Sequence, residues 1–157
     1  MKVKSVVILI VMVVSFGKVF SQSKSGLDTE FASYMIETER RTVFVQNMKL
    51  TDAEAPVFWD LYDQYESDLM LIREDAINNL KKYTAAYATL TEDQANEIMM
   101  SELKNSAKRV SVRKKFYKKI SSELNPKIAA RFLQLDEIAM MVLKLSIYDE
   151  MPLVGGN

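Results

Sequence analysis

The chain has 157 residues, with 21 Lys and Arg against 21 Asp and Glu, no His, no Cys, 4 Gly and 3 Pro. A chain of that length points to one domain, and the missing His and Cys exclude Ser-His-Asp and Cys-His catalysis, thiol redox chemistry and Cys/His zinc sites. No glycine occurs from Leu27 to Val154, which also excludes phosphate-cradling loops and dinucleotide turns, so the chain reads as a non-enzyme with no cofactor and no metal.

At the start of the chain, Lys2 and Lys4 precede the apolar run Val6 to Val14, and Val19-Phe20-Ser21 suits a signal peptidase. This is the build of a secretory signal peptide over residues 1–21, cleaved after Ser21. The apolar stretch to Phe20 is interrupted by Ser15 and Lys18 and falls short of the ~20 residues that span a bilayer. The expectation is therefore a periplasmic protein with no stable membrane anchor after cleavage. Removing residues 1–21 takes away three lysines and no acids, leaving a net charge of 3 negative. Residues 22–26 read as a flexible mature N-terminus, 27–151 as a single helical domain and 152–157 as a flexible tail. With no disulfide available, the exported domain depends on its core alone.

No segment alternates with a period of two, and neither Gly nor Pro interrupts the chain between Pro56 and Pro126, so the fold class is all-α. A short first helix surrounds Phe31, Met35 and Thr42 to Val45. Phe58, Leu61, Tyr62, Tyr65, Leu69, Ile72, Ala76, Leu80, Tyr83, Tyr87 and Leu90 recur in threes and fours, which places them on one face of a long second helix. Ala95, Met99, Leu103, Ala107, Val110, Tyr117, Ile120 and Leu124 mark the expected core stripe of a long third helix. Ile128, Phe132, Leu135, Ala139 and Val142 mark a fourth.

The helix starts share a grammar. Leu27-Asp28, Leu50-Thr51, Leu90-Thr91 and Leu124-Asn125 each pair a leucine with a capping residue, and Ala follows four positions later. Glu54 and Gln94 complete capping boxes with Thr51 and Thr91, and Pro126 takes the first helical position after Asn125. Pro56 falls about one turn inside a helix begun at Thr51, which predicts a tight first turn or a small kink there. The fold expected is four helices, two of them long, in an elongated antiparallel hairpin arrangement. Helices of that length leave a thin molecule, and a second copy of the chain is the natural cover for what stays exposed.

The caps LTDAE, at Leu50, Thr51 and Glu54, and LTEDQ, at Leu90, Thr91 and Gln94, resemble the LTxxQ motifs of the CpxP/Spy family of periplasmic chaperones. The second motif is complete, the first carries Glu54 for Gln, and LNPKI at Leu124 keeps only the leucine and a capping residue. The resemblance implies a long-helix hairpin fold that dimerises into a shallow cradle. It also implies ATP-independent holding of unfolded envelope proteins or restraint of a stress-sensing protein. Some relatives bind zinc through His and Cys, and their absence here argues against carrying that property over.

Charge is segregated. Residues 22–75 hold 12 acids and 5 bases, whereas residues 104–131 hold 10 bases and one acid. Lys104, Lys108, Lys115, Lys118 and Lys119 project from the face opposite Leu103, Val110 and Tyr117, and Arg109 and Arg113 border that apolar stripe, their stems on apolar surface and their heads in water. One reading is a solvated face that pairs loosely with the acidic early helices. The other is a client-binding surface that attracts acidic or unfolded chains and then holds them by apolar contact. Nucleic acid fits poorly with an exported chain whose basic stretch has few interleaved aromatics.

Trp59, Met70 and Ile77 lie within about 20° of one another on the second helix, away from its main seam. Leu133, Met140, Ile147 and Met151 form a similar line on the fourth. These are candidates for a partner or dimer face, or for a wide interior face. The methionines at 99, 100, 140 and 141 suit either an adaptable surface or core filling. The functional expectation is a homodimeric chaperone of unfolded envelope proteins. The alternatives are a regulator that binds one sensor or anti-sigma-type membrane protein, and a structural helical spacer.

Overall fold

A computed structural model describes residues 29–148 and 151–155. The expected signal peptide, the expected flexible segment 22–26 and the expected cap at Asp28 lie outside the described residues. The chain is all-α, with four helices: α1 (Thr29–Asn47), α2 (Ala55–Ala86), α3 (Glu92–Glu123) and α4 (Pro126–Tyr148). The two long ones have 32 residues each, about 48 Å of helix apiece.

Cross-helix pairs fix the directions. Asp68 with Lys115, Gln64 with Lys119 and Lys82 with Glu97 run α2 and α3 antiparallel. In turn α1 lies beside α2 and α4, and α4 beside α3, giving an up-down-up-down bundle joined by short connections.

Local chemistry sets each boundary. Thr91 is extended and its hydroxyl accepts from the Gln94 amide at 3.2 Å, while the Gln94 side chain accepts from the Thr91 amide at 3.0 Å. At the start of α4, Asn125 Oδ1 accepts from the Lys127 and Ile128 amides, both at 3.0 Å. The box at Thr51 also forms, with the Glu54 carboxylate accepting from the Thr51 amide and hydroxyl at 2.9 Å each. Those bonds hold the Glu54 carboxyl below its usual range. The tight first turn expected here is present: the Glu54 and Ala55 amides donate to the Thr51 carbonyl at 3.1 and 3.0 Å, residues 52–54 form a turn, and the regular helix α2 begins at Ala55 with Pro56 at its N-terminal end. Proline lacks a donor where none is required, so no kink is needed. Between α1 and this turn, Lys49 has a φ of +53°, a left-handed conformation that favours Gly or Asn after a helix end.

The core gathers at this end of the bundle. Phe44, Met48, Phe58, Leu61, Tyr62, Tyr65, Leu69, Phe116, Ile120, Ala129 and Phe132 are buried as one cluster drawn from all four helices and their connections. Rings meet at tilted and edge-on angles, with Tyr65 4.9 Å from Phe132 and 5.3 Å from Phe116 between centroids, the arrangement aromatic quadrupoles favour.

Two expectations for α3 require correction. Met99, Leu103 and Val110 are exposed, and its buried residues are Ile98, Asn105, Phe116 and Ile120. The helix is turned so that Asn105, Arg109, Val112, Phe116 and Ile120 face inward; of the stripe read from the sequence, Ile120 is buried and Tyr117 and Leu124 pack against the core, whereas Met99, Leu103 and Val110 are exposed. The heads of Arg109 and Arg113 are correspondingly not in open water; both reach Asp136.

Candidate functional site

The inward turn of α3 has an electrostatic cause. Asp136 of α4 is fully buried, 0% exposed, in the middle of the bundle. Its Oδ1 accepts from Arg40 of α1 at 2.5 Å, from the Tyr65 hydroxyl of α2 at 2.8 Å and from Arg109 of α3 at 3.0 Å. Its Oδ2 accepts from Arg109 at 2.9 Å and faces Arg113 Nε at 2.9 Å. One carboxylate thus draws a donor from each of the other three helices.

A second carboxylate extends the cluster. Glu66 pairs with Arg40 at 3.2 Å and with Arg73, which also faces Glu37 at 3.6 Å. Arg113 meets Glu137 at 2.7 Å on the rim. Burial opposes the charge on Arg40, but Glu66 and Asp136 outweigh it and its pKa is raised. Burial also pushes the Tyr62 and Tyr65 phenols up, helped by Glu66 and Asp136 respectively. The cluster holds every charge in place with a partner. Its chemistry is that of a positioning lock.

Outside the lock, α3 and α4 present apolar side chains to solvent. Leu103 is 63% and Val110 60% exposed, with Met99 in line; the spacings of four and seven place all three on one face of α3. Ile138, Met141 and Leu145 are exposed along α4. Between the helices runs an open groove of about 590 Å³, lined by Val110, Met141 and Leu145 with Arg113, Glu137 and Lys144 at its edges. An exposed apolar surface with a charged rim is the kind that takes a partner.

The basic residues of α3 divide between these settings. Lys108 pairs with Asp75 at 3.6 Å, Lys115 with Asp68 at 2.6 Å, and Lys119 donates to Gln64 at 2.9 Å, all along the α2 side. Lys104 and Lys118 are exposed. The lysines therefore do lie against the acidic second helix, and pairs of this exposure hold weakly. Only Arg109 and Arg113 of the expected surface border the groove.

Of the second apolar lines, Ile77 is buried, and Trp59 and Leu133 are half-buried against the core. Met140 and Ile147 line an interior cavity, and Met70 is exposed. These lines are for the most part interior. Trp59 stacks edge-on against Phe58 and Tyr62, and the Arg41 guanidinium sits 4.9 Å from its ring centroid. Of the methionines, 99, 100 and 141 are exposed and 140 is half-buried.

Among the described residues no group of three or more His, Cys, Asp or Glu is placed to hold a metal ion, and no helix is long and apolar enough to cross a membrane. No protein-family model, curated protein or solved structure matches the chain.

Proposed function

We propose that the chain is an exported, ATP-independent, non-enzymatic chaperone-like protein that holds unfolded envelope proteins on the outer face of α3 and α4. The observation that carries this reading is the exposed apolar line Met99, Leu103, Val110 and its counterpart Ile138, Met141, Leu145 beside a charged-rimmed groove. Methionine and leucine repack around varied side chains at small cost, which suits clients of no fixed sequence. The excess of basic residues in α3 favours encounter with acidic chains. The LTxxQ-like caps and the export signal support the same family resemblance, and with it a cradle-like homodimer. The interior lock suits such a task, because a surface that accepts loose chains must not rearrange its own helices to do so.

The test is aggregation of a chemically unfolded client in the presence of equimolar mature protein, residues 22–157. Suppression is expected, and Leu103→Asp with Val110→Asp should remove it while helix content stays unchanged. Suppression that is absent in the parent protein, or undiminished in the double variant, would overturn the reading. Light scattering of the mature protein alone gives the dimer its own test.

A further inference from the structure

The helices do not fill the bundle evenly. On the side of the ion cluster away from the aromatic core, a cavity of about 200 Å³ remains between all four helices. Ile77 and Leu80 of α2, Ile98 of α3, and Leu143 and Ile147 of α4 wall it, and its surface is almost wholly apolar. At the end nearest the cluster stand Arg40, Arg73, Arg109 and Asn105, with Lys144 also on the wall.

Two donors there are buried without an acceptor. Asn105 is 4% exposed and its Nδ2 bonds to nothing in the protein, and Arg40 Nε is in the same position. A buried N–H left unpaired is costly, so a pair of them on residues that line an apolar chamber marks a place for an acceptor. Cations line the cavity too: among the described residues these are Arg40, Arg73 and Arg109, each already paired with Glu66 or Asp136, and Lys144, with one lining carboxylate, Glu102, which accepts from Ser106 at 3.4 Å. Met151 also lies on the wall, and the Tyr83 hydroxyl donates to the Pro152 carbonyl at 2.6 Å, holding that segment against α2.

We infer that this cavity binds a small aliphatic carboxylate, its tail among Ile77, Leu80, Ile98 and Ile147 and its carboxylate toward Asn105 and Arg40. A cavity of about 150 Å³ accepts benzene, so the larger volume here suits a fatty acid of about six to eight carbons. The cavity adjoins the outer face, sharing Met99 with its apolar line and Arg109, Met140 and Lys144 with its groove, but the inference does not depend on the chaperone reading.

The experiment is calorimetric titration of the mature protein with octanoate, octanol and octylammonium. Octanoate should bind once per chain, octanol at least about tenfold more weakly, and octylammonium not detectably. Asn105→Leu keeps the volume and removes the donor, and should weaken octanoate about tenfold. Ala76→Phe places a ring in the cavity and should abolish binding. Folding of both variants is checked by circular dichroism, and Asn105→Leu alone decides the matter if Ala76→Phe does not fold. The inference is overturned if octanoate fails to bind at about 5 mM or octylammonium binds equally well. It is overturned too if either folded variant binds octanoate as the parent does, which would place the ligand on the outer surface.

Discussion

Changing Asp136 to Asn keeps the side chain's volume and removes the charge that Arg40, Arg109 and Arg113 share. The three guanidiniums would not suffer alike. Arg109 and Arg113 retain side-chain exposures of 19% and 23% and can recruit water, whereas Arg40 is 4% exposed and has Glu66 as its remaining carboxylate. Removing one partner of a buried pair costs about 3–5 kcal/mol, and the hydration open to two of the three arginines places this variant near 3. Against a total of about 5–15 kcal/mol for a domain, that is a large share. With a urea slope of about 1.5 kcal/mol per molar, the unfolding midpoint should fall by about 2 M at constant slope. The assay is urea unfolding followed by far-ultraviolet circular dichroism. The matched control is Asp63→Asn, which breaks an ion pair to Arg41 whose side chains are 43% and 59% exposed and should cost under about 1 kcal/mol. If Asp136→Asn costs no more than Asp63→Asn, the ion cluster does not hold the helices together.

Other consequences are open to measurement. Tyr62 and Tyr65 have pKa values raised from the ordinary 10.0, so the folded state keeps its phenols neutral while the unfolded chain ionises. Their contribution is complete below pH 10 and is lost above it, at about 1.4 kcal/mol per pH unit for each tyrosine, and replacing both with Phe should flatten the alkaline slope of the urea midpoint. Lys49→Gly relieves a left-handed residue and should raise stability by about 1 kcal/mol, read as a higher melting temperature. Thr91→Ala removes the hydroxyl that caps α3 and should lower stability by about 1 kcal/mol.

The helices and their starts were legible because capping and periodicity are local. Thr91, Gln94 and Asn125 act through atoms three residues away or nearer, and the structure shows those bonds as expected. The inward face of α3 was legible at its C-terminal end, through Tyr117, Ile120 and Leu124, but not in its first half, where Asn105 and Arg109 stand in phase with Ile98, Val112 and Phe116. A signal existed in the charges themselves. Asp136 falls four residues after Phe132, and Glu66 four after Tyr62, each within an apolar stripe, and a charge in phase with a core seam asks for a buried partner. Arg40 and Arg73 could not be paired with them from sequence, since the partners meet only across helices. The tight first turn before Pro56 was legible, as the caps were, for a local reason, because the box at Thr51 closes it and proline suits the helix entry that follows.

The central claim is that loose chains are held on the exposed face of α3 and α4. Photo-crosslinking tests it most directly, with a benzophenone side chain placed at Val110, at Leu145 and, as a control, at Glu92 on the first turn of α3. Unfolded client should crosslink strongly from Val110 and Leu145 and weakly from Glu92. Crosslinks from Val110 and Leu145 to a second copy of the chain alone, or equal client yields from all three positions, would contradict the account.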